Sequence, residues 1–208
     1  MNLLDLLLQS LGGDAVGRIS AQLGIDEATA RRAIQAALPL IITALAQNAS
    51  SPQGADSLYQ ALASDHDGTL LDNVPSYLDH PDTADGQAIL GHVFGEQESA
   101  VVNQFSAQTG LDSDLLMKLL PILAPIVLAQ LGKQQRDGGL DSGGLADVLS
   151  GEKASIQEQA APDGSLGGLL GGLVTGMLDT DRDGNATEEA IQMGSSILGQ
   201  LFGGGGKR

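Results

Sequence analysis

The chain has 208 residues, 42% of them hydrophobic, with 29 glycines and a formal net charge of −16. That length holds one good core or two small ones, and so acidic a field repels phosphate backbones, which disfavours nucleic acid as a direct partner. Cysteine is absent, so disulfides, thiol catalysis and cysteine-based zinc sites are excluded.

In chain order, Leu3, Leu4, Leu7, Leu8 and Leu11 fall on one helical face and predict an amphipathic first helix over 2–11. Asp5 comes early, no basic segment precedes the leucines, and no small-residue cleavage site precedes Gly12, so this is not the pattern of a signal peptide. The expected location is cytoplasmic, with export by a route that uses no classical signal peptide as the alternative.

A helix over 14–23 and a long one over 26–48 follow, and this unit recurs. Ser20-Ala21-Gln22-Leu23-Gly24-Ile25-Asp26 reappears as Ser106-Ala107-Gln108-Thr109-Gly110-Leu111-Asp112, from position 20 to position 106, a shift of 86. The same shift lays Val16 on Val102, Ile19 on Phe105 and Pro39 on Pro125. Each repeat (15–48 and 101–134) reads as a short helix, a glycine turn, an Asp N-cap and a long apolar helix with an internal proline. Proline removes a ladder hydrogen bond, so kinks are expected in both long helices, 26–48 and 112–133. Both are apolar on most of their surface, which places them at the centre of a bundle, crossing around a pseudo-twofold.

Outer helices are expected near 54–64, 83–93 and 97–109. The stretch 65–82 carries the turn signals Asp67-Gly68, Pro75 and His80-Pro81 and reads as loop. The longest apolar run, Leu119 to Ala129, is eleven residues with two prolines, short of the roughly 20 a membrane span needs. It reads as a buried core helix, and no transmembrane segment is expected.

Past Lys133 the composition turns to Gly, Ser, Asp and Gln. Residues 135–165 read as a flexible linker with a short helix at 143–150. Residues 166–202 read as a Gly/Leu-rich helix-loop-helix, and 203–208 as a disordered tail.

Inside that last module lies the one place where residue type and spacing together imply chemistry, Asp179-Thr180-Asp181-Arg182-Asp183-Gly184-Asn185-Ala186-Thr187-Glu188-Glu189-Ala190. A calcium loop takes side-chain oxygens at its first, third and fifth positions, a glycine at the sixth, a carbonyl at the seventh, a ligand at the ninth and a bidentate Glu at the twelfth. Asp179, Asp181, Asp183, Gly184, Asn185 and Thr187 fill these places, but Ala190 stands where the bidentate Glu belongs, and Glu189 lies one residue early. The departure predicts a weak site, on the order of 10⁻⁴–10⁻³ M for calcium. Two carboxylates about 6 Å apart repel by roughly 0.7 kcal/mol even in water, and a divalent ion relieves several such pairs at once. The alternative reading is a solvated acidic turn leading into a helix.

Other candidates carry less. Val16–Ile34 imitates a helix-turn-helix with Arg31 and Arg32, but Asp26 and Glu27 occupy the start of the would-be recognition helix. His66, His80 and His92 show no i, i+4 metal spacing; His92, between Leu90 and Phe94, reads as a partly buried helix histidine. Ser150-Gly151-Glu152-Lys153 matches a serine–lysine pattern without its companion motifs.

Gly86-Gln87-Ala88-Ile89-Leu90-Gly91-His92-Val93-Phe94-Gly95, the proline-interrupted apolar helix after it and the Leu-Asp-x-Asp-x-Asp-Gly segment together resemble the YidB-like bacterial family, a domain of unknown function. The resemblance covers most of 1–134 and the acidic loop. It implies an all-α multihelical fold and no established enzymatic activity, and it carries no catalytic residue over. The expectation is therefore an all-α bundle with an internal duplication around two central kinked helices, plus a C-terminal helix-loop-helix. The expected function is non-enzymatic: a structural or protein-interaction role with a weak calcium loop, and a protein partner or self-association. The alternative is a helical binding or oligomerisation module without a metal. An enzyme built on His92 and a nearby carboxylate would require a polar pocket around that histidine.

Overall fold

The computed structural model describes residues 2–159, and every regular element among them is a helix. These are α1 (Leu3–Ser10), α2 (Gly13–Leu23), α3 (Glu27–Asn48), α4 (Pro52–Ser64), α5 (Val74–Asp79), α6 (Thr83–Phe94), α7 (Glu98–Thr109), α8 (Ser113–Gly138) and α9 (Ser142–Gln159). Short 3-10 helices occupy Thr69–Asn73 and Gly95–Gln97. The all-α class expected from the sequence is the class observed.

Helix starts follow side-chain chemistry. The Asp26 carboxylate accepts from the Thr29 amide at 2.9 Å to begin α3, and the Asp112 carboxylate accepts from the Leu115 amide at 3.0 Å to begin α8. These bonds satisfy amides that no helical carbonyl can reach. The Thr29 hydroxyl also donates to Asp26, and with the amide it holds that carboxyl below its ordinary pKa. Upstream, α2 and α7 both stop at a left-handed glycine, Gly24 at φ 68° and Gly110 at φ 69°, a conformation that a Cβ penalises.

The two long helices form the hub. α8 packs against α1, α2, α3, α4, α6 and α7, and α3 packs against α1, α2, α6, α8 and α9. Every residue from Leu119 to Gly132 is buried, and so is the stretch from Ala37 to Ala46. α8 is long and apolar enough to cross a membrane, with mean hydropathy 1.9 over its most apolar window, yet 83% of that window is buried inside the bundle. Its apolar surface is used as core.

Close approach to α8 depends on glycine. Pro125 has no N–H, so the Pro121 carbonyl lacks its helical donor. Gly86 of α6 sits against that carbonyl, where any Cβ would overlap it. Gly132 of α8 meets the His66 carbonyl in the same way, which seats the 65–68 turn on the helix. In α3, Pro39 instead frees the carbonyl of Gln35, an exposed residue that water can serve.

Two expectations need correction. The linker expected over 135–165 is helical through most of its described length, because α8 runs to Gly138 and α9 spans Ser142–Gln159, well beyond the short helix at 143–150. The Asp141 carboxylate accepts from the Gly144 amide at 2.8 Å to start α9, and Leu145, Leu149 and Ile156 bury against α3 and α4. The loop expected over 65–82 contains α5, whose Asn73 cap accepts from the Ser76 amide at 3.2 Å while Val74 and Leu78 bury. Pro75 lies in the first turn, where proline is tolerated, so it opens this helix and does not break it. The helix-loop-helix expected over 166–202 and the tail over 203–208 lie outside the described residues.

Candidate functional site

α4 and α6 lie on the hub but scarcely touch each other. The gap between them is an open groove of about 580 Å³, floored by Leu45 of α3 and Leu128 of α8. Gly54, Ser57, Leu58 and Ala61 line it from α4, and Asp85, Ala88, Ile89 and His92 line it from α6. Both sets follow helical i, i+3, i+4, i+7 spacing, so each helix turns one face to the groove. The Asn48 side chain closes one end, donating to the Val93 carbonyl at 2.7 Å and to the Ala44 carbonyl at 3.3 Å. Gly54, Ser57 and Ala61 of α4 and Ala88 of α6 are the small residues along the walls, and Leu58 and Ile89 add to the apolar lining.

The rim is acidic and imidazole-bearing. Asp65 and His66 stand at the end of α4, Asp85 and His92 on α6. Behind α6, the Tyr77 hydroxyl donates to the Ile122 carbonyl at 3.2 Å; burial raises its pKa far above the ordinary phenol value, and Asp85 and Asp82 add to the rise. Next to His66, the Thr69 amide and hydroxyl hold the Asp67 carboxyl below its usual range, with Arg136 contributing at 3.9 Å. Among the described residues no three His, Asp or Glu side chains converge to hold a metal ion.

The structure separates the sequence candidates. Asp179, Asp181, Asp183, Asn185, Thr187 and Glu189 lie outside the described residues. His92 is exposed, contrary to the partly buried position expected of it, because Leu90 and Phe94 on the opposite face of α6 are the buried ones. It shares the groove with His66, while His80 is exposed at the end of α5. Ser150 is exposed on α9, and Lys153 donates to Gln47 at 3.0 Å. Glu152 accepts from the Leu3 amide at 2.7 Å, tying the start of α1 to α9. Arg31 and Arg32 are exposed on α3. Sequence reasoning missed the groove because its walls mix small, polar and apolar residues from two distant segments; the signal present was their helical spacing, with nothing to pair them.

A second groove, about 560 Å³, lies between the two glycine turns. Its lining contains Leu23 and Thr109, Ile25 and Leu111, Thr29 and Leu115, and Arg32 and Lys118, each pair 86 positions apart in the sequence.

A family model described as "Bacterial protein of unknown function (DUF937)" matches residues 5–134. The chain belongs to this family. The match runs from within α1 into α8, so the hub, the α4–α6 groove and both glycine turns are parts of the DUF937 domain, while α9 lies beyond it. No curated protein and no solved structure matches the chain.

Proposed function

We propose that this DUF937 protein is a non-enzymatic interaction module whose α4–α6 groove receives an amphipathic helix with basic flanks from a partner protein. The observation that carries the reading is the apolar lining, Leu45 and Leu128 on the floor and Leu58 and Ile89 on the walls, between two helices held apart, with Asp65 and Asp85 on the rim. The α4 wall from Gln53 to Asp65 is about 18 Å long at 1.5 Å per residue, the length of a three-turn helix. Helix-in-groove recognition reads apolar anchors at i, i+3, i+4 and i+7, and rim carboxylates select for Lys or Arg beside them. Binding of a fluorescent Leu/Lys amphipathic peptide, followed by anisotropy, tests this. Ala88→Trp fills the groove from an exposed position and should weaken binding at least tenfold with unchanged circular dichroism. Equal affinity in parent and variant would contradict the reading.

The same proposal keeps the acidic loop as a weak calcium site, with Asp179, Asp181, Asp183, Asn185 and Thr187 as ligands and Glu189 as an addition. Residue pattern supports it. Calcium calorimetry on the full chain should give saturable heat that Asp179→Ala/Asp181→Ala abolishes; no heat at millimolar calcium would leave a helical module with no metal site. The YidB-like affinity within this bacterial family, the internal duplication with kinked central helices, and a cytoplasmic location belong to the proposal as well. The duplication is supported by the four lining pairs of the turn groove and by the matching Gly24/Gly110 and Asp26/Asp112 geometries.

A further inference from the structure

We infer that the groove between the two glycine turns is the surface on which a second copy of this chain docks. The surface is apolar at its middle: Leu23, Ile25, Leu111 and Leu115 pack against the core and stay partly exposed. Around Gly24 and Gly110 there is open space among the described residues, with none of them within 4 Å of where a Cβ would stand.

Charge selects the occupant. Two chains that each carry −16 repel, and they approach only where the local field is neutral. The turn groove carries two cations, Arg32 and Lys118, against two anions, Asp112 and Asp114. Just outside it, exposed Asp26 and Glu27 add two anions and Arg31 one cation, so the region stays close to balanced. By contrast, the α4–α6 groove has Asp65 and Asp85 in its lining and no Lys or Arg, so a second acidic copy is disfavoured there.

The patch itself holds both signs of charge around an apolar middle. In a twofold dimer each residue i meets j while j meets i, so one patch must hold both members of every contact. Here leucines and isoleucines meet across the axis, and the cations of one copy meet Asp112 and Asp114 of the other. Eleven lining residues are fewer than the 20 to 30 per side of a standard interface, so the dimer is weak and concentration-dependent.

Sedimentation velocity on the full chain over a wide concentration range tests the inference. The parent should move from monomer to dimer, and Arg32→Glu/Lys118→Glu should weaken dimerisation at least tenfold. Lys133→Glu/Arg136→Glu makes the same change of charge at the far end of α8 and should leave most of the dimer intact. A chain that stays monomeric at every concentration overturns the inference. So does equal loss in both variants, which would be a net-charge effect, or no loss in either, which would put the dimer elsewhere. Peptide binding in the α4–α6 groove is independent of this surface and should be the same in Arg32→Glu/Lys118→Glu, so the two readings fail separately.

Discussion

Gly86 illustrates how a single residue sets the distance between elements. It lies where Pro125 has left a carbonyl of α8 without a donor, and only a glycine lets α6 come that close. Gly86→Ala forces the backbones apart and should destabilise the fold by about 2 kcal/mol or more, the range of overpacking strain. Gly91 on the same helix has nothing within 4 Å of its would-be Cβ, so Gly91→Ala should stabilise by up to about 1 kcal/mol through helix propensity. Urea unfolding of the two variants checks both signs. At this scale the sequence was legible wherever chemistry is local: Gly24, Gly110, Asp26 and Asp112 could be assigned to turns and caps because cap and turn preferences are read over four residues. Gly86 was legible only as part of a family-like string. Its physical reason lies 35 residues away, at Pro121.

At the scale of elements, α3 and α8 were legible because they are apolar on nearly every face, and such helices have nowhere to go but the centre. α9 was not. Its three core contacts, Leu145, Leu149 and Ile156, are spread over twelve residues and separated mostly by Asp, Ser, Gly, Glu, Lys and Ala, so the composition imitates a linker. What makes it a helix is the surface waiting for it on α3 and α4, together with the Asp141 cap. Leu149 is 0% exposed, and Leu149→Ala should cost about 2–5 kcal/mol, as truncation of a core leucine does. A change below about 0.5 kcal/mol in the same unfolding measurement, the level of a surface substitution, would show that α9 contributes little to the fold. α5 escaped for a related reason: six residues are too few for a periodic pattern, and Pro75 signals both a turn and a helix start.

At the scale of the whole molecule, the described residues form two grooves of similar size and different electrostatic character. One is acidic-rimmed between α4 and α6; the other is charge-balanced between the turns. The long helices create both, since α4 and α6 are held apart on the hub and the repeated turns are brought to one end of it. Neither groove was legible, because each is assembled from segments far apart in sequence. The acidic segment 179–190 is contiguous, so its calcium-loop pattern and the missing twelfth-position Glu could be read directly; it lies outside the described residues. The DUF937 domain covers both grooves; the proposed interaction runs through the α4–α6 groove. Amide chemical-shift mapping of the full chain during titration with the Leu/Lys helix tests it most directly. Shifts are expected to concentrate at Ser57, Ala61, Ala88 and Ile89 and to vanish in Ala88→Trp. Shifts scattered over the acidic surface, or concentrated on other helices while these four amides stay silent, would contradict it.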